Sequence, residues 1–204
     1  MKKKIINVLY KKQNVYLFCL FLLFFPLKTQ LQNGIIFIFD ILFRNGTTSE
    51  VFTYNYTGTF IGCDKVAKMI QLNPDMNWFQ KHGIYYLQFL PSLLAFWLVF
   101  KRWKKDIIFK FFDWFLVIIS CFSILTAIKN TFSLLFYFDK LSSGQIIRLL
   151  ITSVLFLSIG AFIFFRIFKF KERLQTLIFG LLGFYGSLFL WVHFLGPKIL
   201  PVIP

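Results

Sequence analysis

Acidic residues are scarce in this chain: 8 Asp and Glu stand against 23 Lys and Arg in 204 residues, a formal charge of +15. Histidine occurs twice and cysteine three times. Cys19, Cys63 and Cys121 are widely spaced, with no CxxC pair. This odd, scattered set excludes a disulfide framework and a Cys/His metal cluster at ligand spacing. HExxH, GxSxG, paired-glutamate protease motifs and phosphate-cradling glycine loops are also missing, so no motif-borne membrane enzyme chemistry is legible. No internal repeat and no low-complexity linker occurs.

What is present is apolar surface. The chain is 58% hydrophobic with 31 Phe, and its mean hydropathy is +0.70. Its apolar residues come in runs near the roughly 20 residues that a 30 Å hydrocarbon core requires. The fold class is therefore all-α, a polytopic transmembrane helical bundle of about five spans, read as a single membrane domain over 1–204. The expected spans are 15–43, bent near Pro26, then 84–100, 107–128, 146–168 and 174–192. In the first, polar Lys28 to Asn33 separates an apolar stretch from a second segment, 34–43. Residues 45–82 read as an outer loop, with a weakly amphipathic helix over 50–70 that is half-buried or re-entrant. Gly196-Pro197 and the later Pro201 and Pro204 are expected to end the last helix.

The basic excess does not form a nucleic-acid surface, because Lys and Arg lie in short clusters between apolar runs. Lys2–Lys4, Lys11 and Lys12, Lys101 to Lys105, and Arg166 to Arg173 fall on one side of a five-span bundle. The positive-inside rule then puts the N-terminus in the cytoplasm. Abundant Phe and Lys with scarce Ala fit an A/T-rich genome, hence a bacterial cytoplasmic (inner) membrane, or alternatively the mitochondrial inner membrane. Trp78, Trp103 and Trp191 read as interfacial anchors.

Few residues suggest chemistry. Asp113 is an acid inside a span, where an ionisable group is a functional candidate. Its spacing from Asp106 and Lys110 also predicts a structural ion-pair stripe on one helical face. Arg148 opens the fourth expected span, where it can reach lipid phosphate or an anionic substrate. His82 and His193 both fall at the outer face, as interfacial histidines or as ligands of a haem or neighbours of a quinone. No cofactor is otherwise indicated and no metal site is expected. Gly180, Gly183 and Gly186 with Ser187 form a small-residue strip suited to close helix packing or to a lipid groove. Asn45-Gly-Thr47 and Asn55-Tyr-Thr57 fit the glycosylation acceptor pattern.

Phe60-Ile-Gly-Cys-Asp-Lys-Val-Ala-Lys68, then Trp78-Phe-Gln-Lys-His-Gly-Ile84, an apolar span and basic Lys101 to Lys105 resemble the DoxX/MauE-like membrane proteins. Ser143-Gly144-Gln145-Ile-Ile-Arg-Leu-Leu150 is similar to that family's Gly-Glu-Leu start of the last helix, with Gln145 in place of the glutamate. The resemblance covers roughly residues 50–168. It departs at residues 50–61, which are too polar for the family's first span. It implies a four-helix membrane core associated with thiol or quinone redox systems, without transferable catalytic residues. The residues themselves point first to a non-catalytic subunit or accessory of a larger membrane assembly, with the bilayer and a membrane protein as partners. The alternatives are a redox or quinone-associated protein, and a small transporter or membrane enzyme using Asp113, Arg148 or His193.

Overall fold

A chain this apolar must satisfy its backbone groups internally, and in lipid a helix does so within one segment. In the computed structural model, residues 12–46, 55–57, 70, 72–105 and 111–201 are described, and every regular element among them is helical. The helices are α1 (Lys12–Leu22), α2 (Phe24–Phe43), α3 (Trp78–Leu87), α4 (Leu90–Trp103), α5 (Phe111–Phe136), α6 (Ser143–Phe162), α7 (Phe170–Gln175), α8 (Leu181–Leu190) and α9 (Gly196–Ile199). Three π-helical turns, Ile163–Ile167, Thr176–Gly180 and Trp191–Leu195, extend α6, join α7 to α8 and join α8 to α9.

Four stretches are long and apolar enough to cross a membrane: Trp78–Trp103, Phe111–Phe136, Ser143–Ile167 and Phe170–Ile199. The bent pair α1 and α2 makes a fifth if it is one span. The all-α, multi-pass architecture read from the sequence is thus observed.

Two details of that reading change. The α1–α2 pair, expected as one span bent near Pro26, does bend, by 43° at Leu23, but Lys28 to Asn33, expected between its two segments, is helical. Pro26 explains the position of the break: its ring has no N–H and crowds the carbonyl four residues earlier, so the disturbance falls one turn upstream. Within this stretch Lys28, Thr29 and Asn33 are buried. At the other end, Gly196-Pro197 does not stop the last helix. The π turn before it lets Gly196 N–H donate to Trp191 O, and helix continues to Ile199. Leu200, which precedes Pro201, leaves the helical region.

Helix starts follow local chemistry. Asn77 and Gln80 form a reciprocal capping box, with bonds of 2.9 and 2.8 Å, so α3 begins at Trp78, inside the expected loop. Ser142 and Gln145 form the same device at α6. Asn45 and Gly46 take left-handed backbone conformations after α2, and Gly46 N–H reaches back to Asp40 O at 3.2 Å.

The chain, read above as one domain, divides into two compact units: Met1–Leu20 with Pro91–Gly180, and Phe21–Leu90 with Leu181–Pro204. In the first, α5 is the most enclosed span, with half of its apolar window buried. Ser153 Oγ donates to Ala127 O and Ser92 Oγ to Ile119 O, tying α6 and α4 to α5. In the second, Phe24, Phe25 and Phe184 join α2 to α8, and Phe39, Phe43 and Phe79 join α2 to α3. The N-terminal lysines 2–4 and 11, Cys63, the Asp106–Lys110 part of the ion-pair stripe, most of the 50–70 amphipathic stretch and the Phe60–Lys68 motif lie outside the described residues.

Candidate functional site

Asp113 stands in the first turn of α5, and Arg102 in the last turn of α4. A carboxylate at a helix N-terminus and a cation at a C-terminus each complement the backbone dipole. The two meet: Arg102 Nε donates to one Asp113 oxygen and its Nη2 to the other at 3.2 Å, a bidentate pair. The acid is buried and the arginine about one-third exposed. Asp113 therefore holds the α4–α5 connection, with a partner eleven residues upstream on another helix.

The other expected residues lie apart. Arg148 is half-buried in α6, and its carbonyl accepts the Thr152 hydroxyl at 2.9 Å. Thr152 in turn accepts from Asn130 Nδ2 on α5. His82 is half-buried between Trp78 and Tyr85, ring centroids 5.5 and 6.2 Å away. His193 is exposed beside Phe189, at 5.5 Å. The aromatic neighbours of each histidine come from its own helix. Among the described residues no group of three or more His, Cys, Asp or Glu could hold a metal ion.

The small-residue strip is occupied by the chain itself. Gly183 and Ser187 are buried, a Cβ on Gly186 would stand 3.1 Å from Leu22 Cδ1, and Ser187 Oγ accepts from Phe25 N–H at 3.0 Å. Phe25 lies beside the break before Pro26, so Ser187 serves a donor at a disrupted turn. The spacing was legible; the identity of the opposing helix, α2, was not.

The largest polar feature was missed in the sequence. Lys28, Thr29, Asn33, Asp40 and Arg44 are all buried. Thr29, Asn33, Asp40 and Arg44 lie within an arc of about 60° at 100° per residue, forming one inward face of α2. Treating 28–33 as a separator between segments hid this spacing. Lys28 Nζ donates to Gln32 Oε1 at 3.1 Å. Arg44 Nε donates to Gln80 O at 2.7 Å, and Gln80 Nε2 donates back to Phe43 O at 2.7 Å. Burial lowers the Arg44 pKa, opposed by the charge of Asp40 and by Tyr85.

Against this face lies Asn55-Tyr56-Thr57. Asn33 Nδ2 donates to Asn55 O at 2.6 Å. Asn33 precedes Phe43 by ten residues, so this contact is about 15 Å down α2 from its C-terminal end. Inside a bilayer, non-helical backbone requires protein partners, and this segment has them. Trp191 Nε1 donates to Tyr56 O at 2.9 Å, Tyr56 N–H to Leu200 O at 3.0 Å, and Thr57 N–H to Asn55 Oδ1 at 2.8 Å. The Thr57 hydroxyl also donates to Asn55 Oδ1, at 2.6 Å. Asn55 is 4% exposed, so this acceptor pattern is closed to modification in the folded chain. Among the described residues, Asn33 Oδ1 has no hydrogen-bond partner. The site is a lattice of amide, hydroxyl and indole groups flanked by Lys28, Asp40 and Arg44, suited to holding backbone and hydrogen-bonding a small polar group.

Comparison of the chain with protein-family models, with curated proteins and with solved structures finds no match.

Proposed function

We propose that this multi-pass protein is a non-catalytic subunit or accessory of a larger membrane assembly, in a bacterial cytoplasmic membrane with its N-terminus inside. One observation supports the reading most. Asp113 pairs with Arg102 of the chain itself, while in three of the four long apolar helices only 22% of the apolar window is buried. Such surface is the kind that a membrane partner covers by close packing. The test is mild-detergent purification of the tagged native protein, with mass spectrometry of copurifying chains. A stable stoichiometric partner supports the proposal, and a well-behaved monomer without one counts against it. Protease protection of tags at each end checks the orientation, and a mitochondrial inner membrane is the alternative setting.

The α2 face favours a second reading, a small transporter or binding protein for a polar solute. Here Asn33 and the Asn55–Thr57 segment replace Asp113, Arg148 and His193 as the residues of interest. Asn33→Leu abolishes solute uptake while leaving assembly intact if this reading holds. The DoxX-like redox reading rests on sequence resemblance, and a Soret band or extractable quinone in the purified sample is its requirement.

A further inference from the structure

The basic end of the first unit carries a built-in asymmetry. Its two acids with described contacts are both engaged: Asp113 by Arg102, and Glu172 by Lys169 N–H at 2.7 Å. Arg173 is occupied as well, donating to Phe168 O at 3.0 Å and to Phe165 O at 2.6 Å, where it closes the end of the α6 span. Lys101, Lys104, Lys105, Arg166, Lys169 and Lys171 remain exposed. No ion pair to any of these six occurs among the described residues.

Two of these cations follow residues of one aromatic cluster. Phe162 of α6 packs against Phe100 at 5.8 Å, Trp103 at 5.6 Å and Phe96 at 6.1 Å, all from α4. All four rings are half-buried, so the wall they form keeps an open side. Both helices run toward the basic end. Lys104 follows Phe100 by four residues, and Arg166 follows Phe162 by four, so each cation stands about one turn beyond the rings that touch. Lys104 Nζ lies 4.7 Å from the Phe100 ring, and Lys101 Nζ 5.1 Å from Trp97. The result is an apolar aromatic wall with one cation from each helix about a turn beyond it.

We infer that the α4–α6 seam binds an anionic phospholipid, with its phosphate between Lys104 and Arg166 and an acyl chain along Phe96, Phe100 and Phe162. Charge complementarity decides the occupant, because a group meeting this seam is apolar below and anionic above. A lysine near a ring keeps its stem on apolar surface and its charge at headgroup level, and a guanidinium presents a fork that matches phosphate oxygens. Only unit-one residues are involved, so the inference is independent of the α2 face.

The test uses the full-length protein in nanodiscs of phosphatidylcholine mixed with phosphatidylglycerol, with native mass spectrometry of retained lipid. The wild-type protein retains phosphatidylglycerol above its share of the mixture. Lys104→Gln with Arg166→Gln lowers that preference roughly ten- to thirtyfold, the order expected for two cations at a lipid surface. The charge-matched control, Lys105→Gln with Lys171→Gln, leaves most of it. Equal losses in the two double variants would reduce the effect to net charge and overturn the seam. So would loss of a copurifying acidic protein with lipid retention unchanged. If the seam variant does not fold, Phe100→Leu with Phe162→Leu keeps both charges and must still weaken retention, and unaltered retention overturns the proposal.

Discussion

Ser187 and the Arg102–Asp113 pair show how single residues are used here. Ser187→Ala leaves the Phe25 N–H without its acceptor in a buried setting, which costs about 1–3 kcal/mol, toward the lower end if the membrane-unfolded chain finds other partners. Thermal unfolding in detergent reads this as a lowered midpoint, and an unchanged midpoint means that the donor is satisfied elsewhere. Removing Arg102 takes a bidentate partner from a buried carboxylate, whereas removing the charge of Asp113 releases a partly exposed arginine to water. Arg102→Ala is therefore expected to destabilise more than Asp113→Asn, by up to about 3 kcal/mol. The double variant recovers part of that loss. Asp113 was visible in the sequence as an acid inside a span; Arg102 was not visible as its partner, because spacing within one helix says nothing about the neighbouring helix.

At the scale of elements, apolar run length located four long apolar helices and the bent α1–α2 pair, since a bilayer imposes that length on any sequence. Boundaries depended on chemistry that run length ignores. The Asn77–Gln80 box starts α3 six residues before its apolar run, and the π turn at Trp191–Leu195 carries the last helix through Gly196-Pro197. The inward face of α2 was missed for a related reason. Polar residues beside an apolar run read as an interruption, although Thr29, Asn33, Asp40 and Arg44 keep helical spacing throughout. Two outcomes follow for the segment this face holds. Oligosaccharyltransferase presented with the completed, folded protein adds no glycan at Asn55, because its side-chain oxygen is held by Thr57 and the residue is buried. The readout is a gel shift removable by glycosidase, and its appearance would place the segment outside the fold. A Cβ at Gly196 would meet the Tyr56 ring and Trp191 O at 2.5 Å. Gly196→Ala is therefore expected to loosen Asn55–Thr57, which increased labelling of a Thr57→Cys probe measures.

At the scale of the whole molecule, neither compact unit is continuous in sequence. The second combines Phe21–Leu90 with Leu181–Pro204, so its stability depends on residues far apart in the chain. A chain stopped after Gly180 is expected to retain the α4–α6 contacts, while Asn55 and Tyr56 lose protection. Limited proteolysis distinguishes this from collapse of both units. The hydrogen bond from Phe25 to Ser187 extends the same point to biosynthesis. The amide is made early and its acceptor 162 residues later, and Trp191 and Leu200, which hold Tyr56, arrive later still. During translation the kinked first span therefore waits with a bare donor and an unplugged polar face. The insertion machinery must shelter it from lipid until the last helix arrives, and a ribosome stalled before residue 187 would leave this span as the part exposed to membrane quality control.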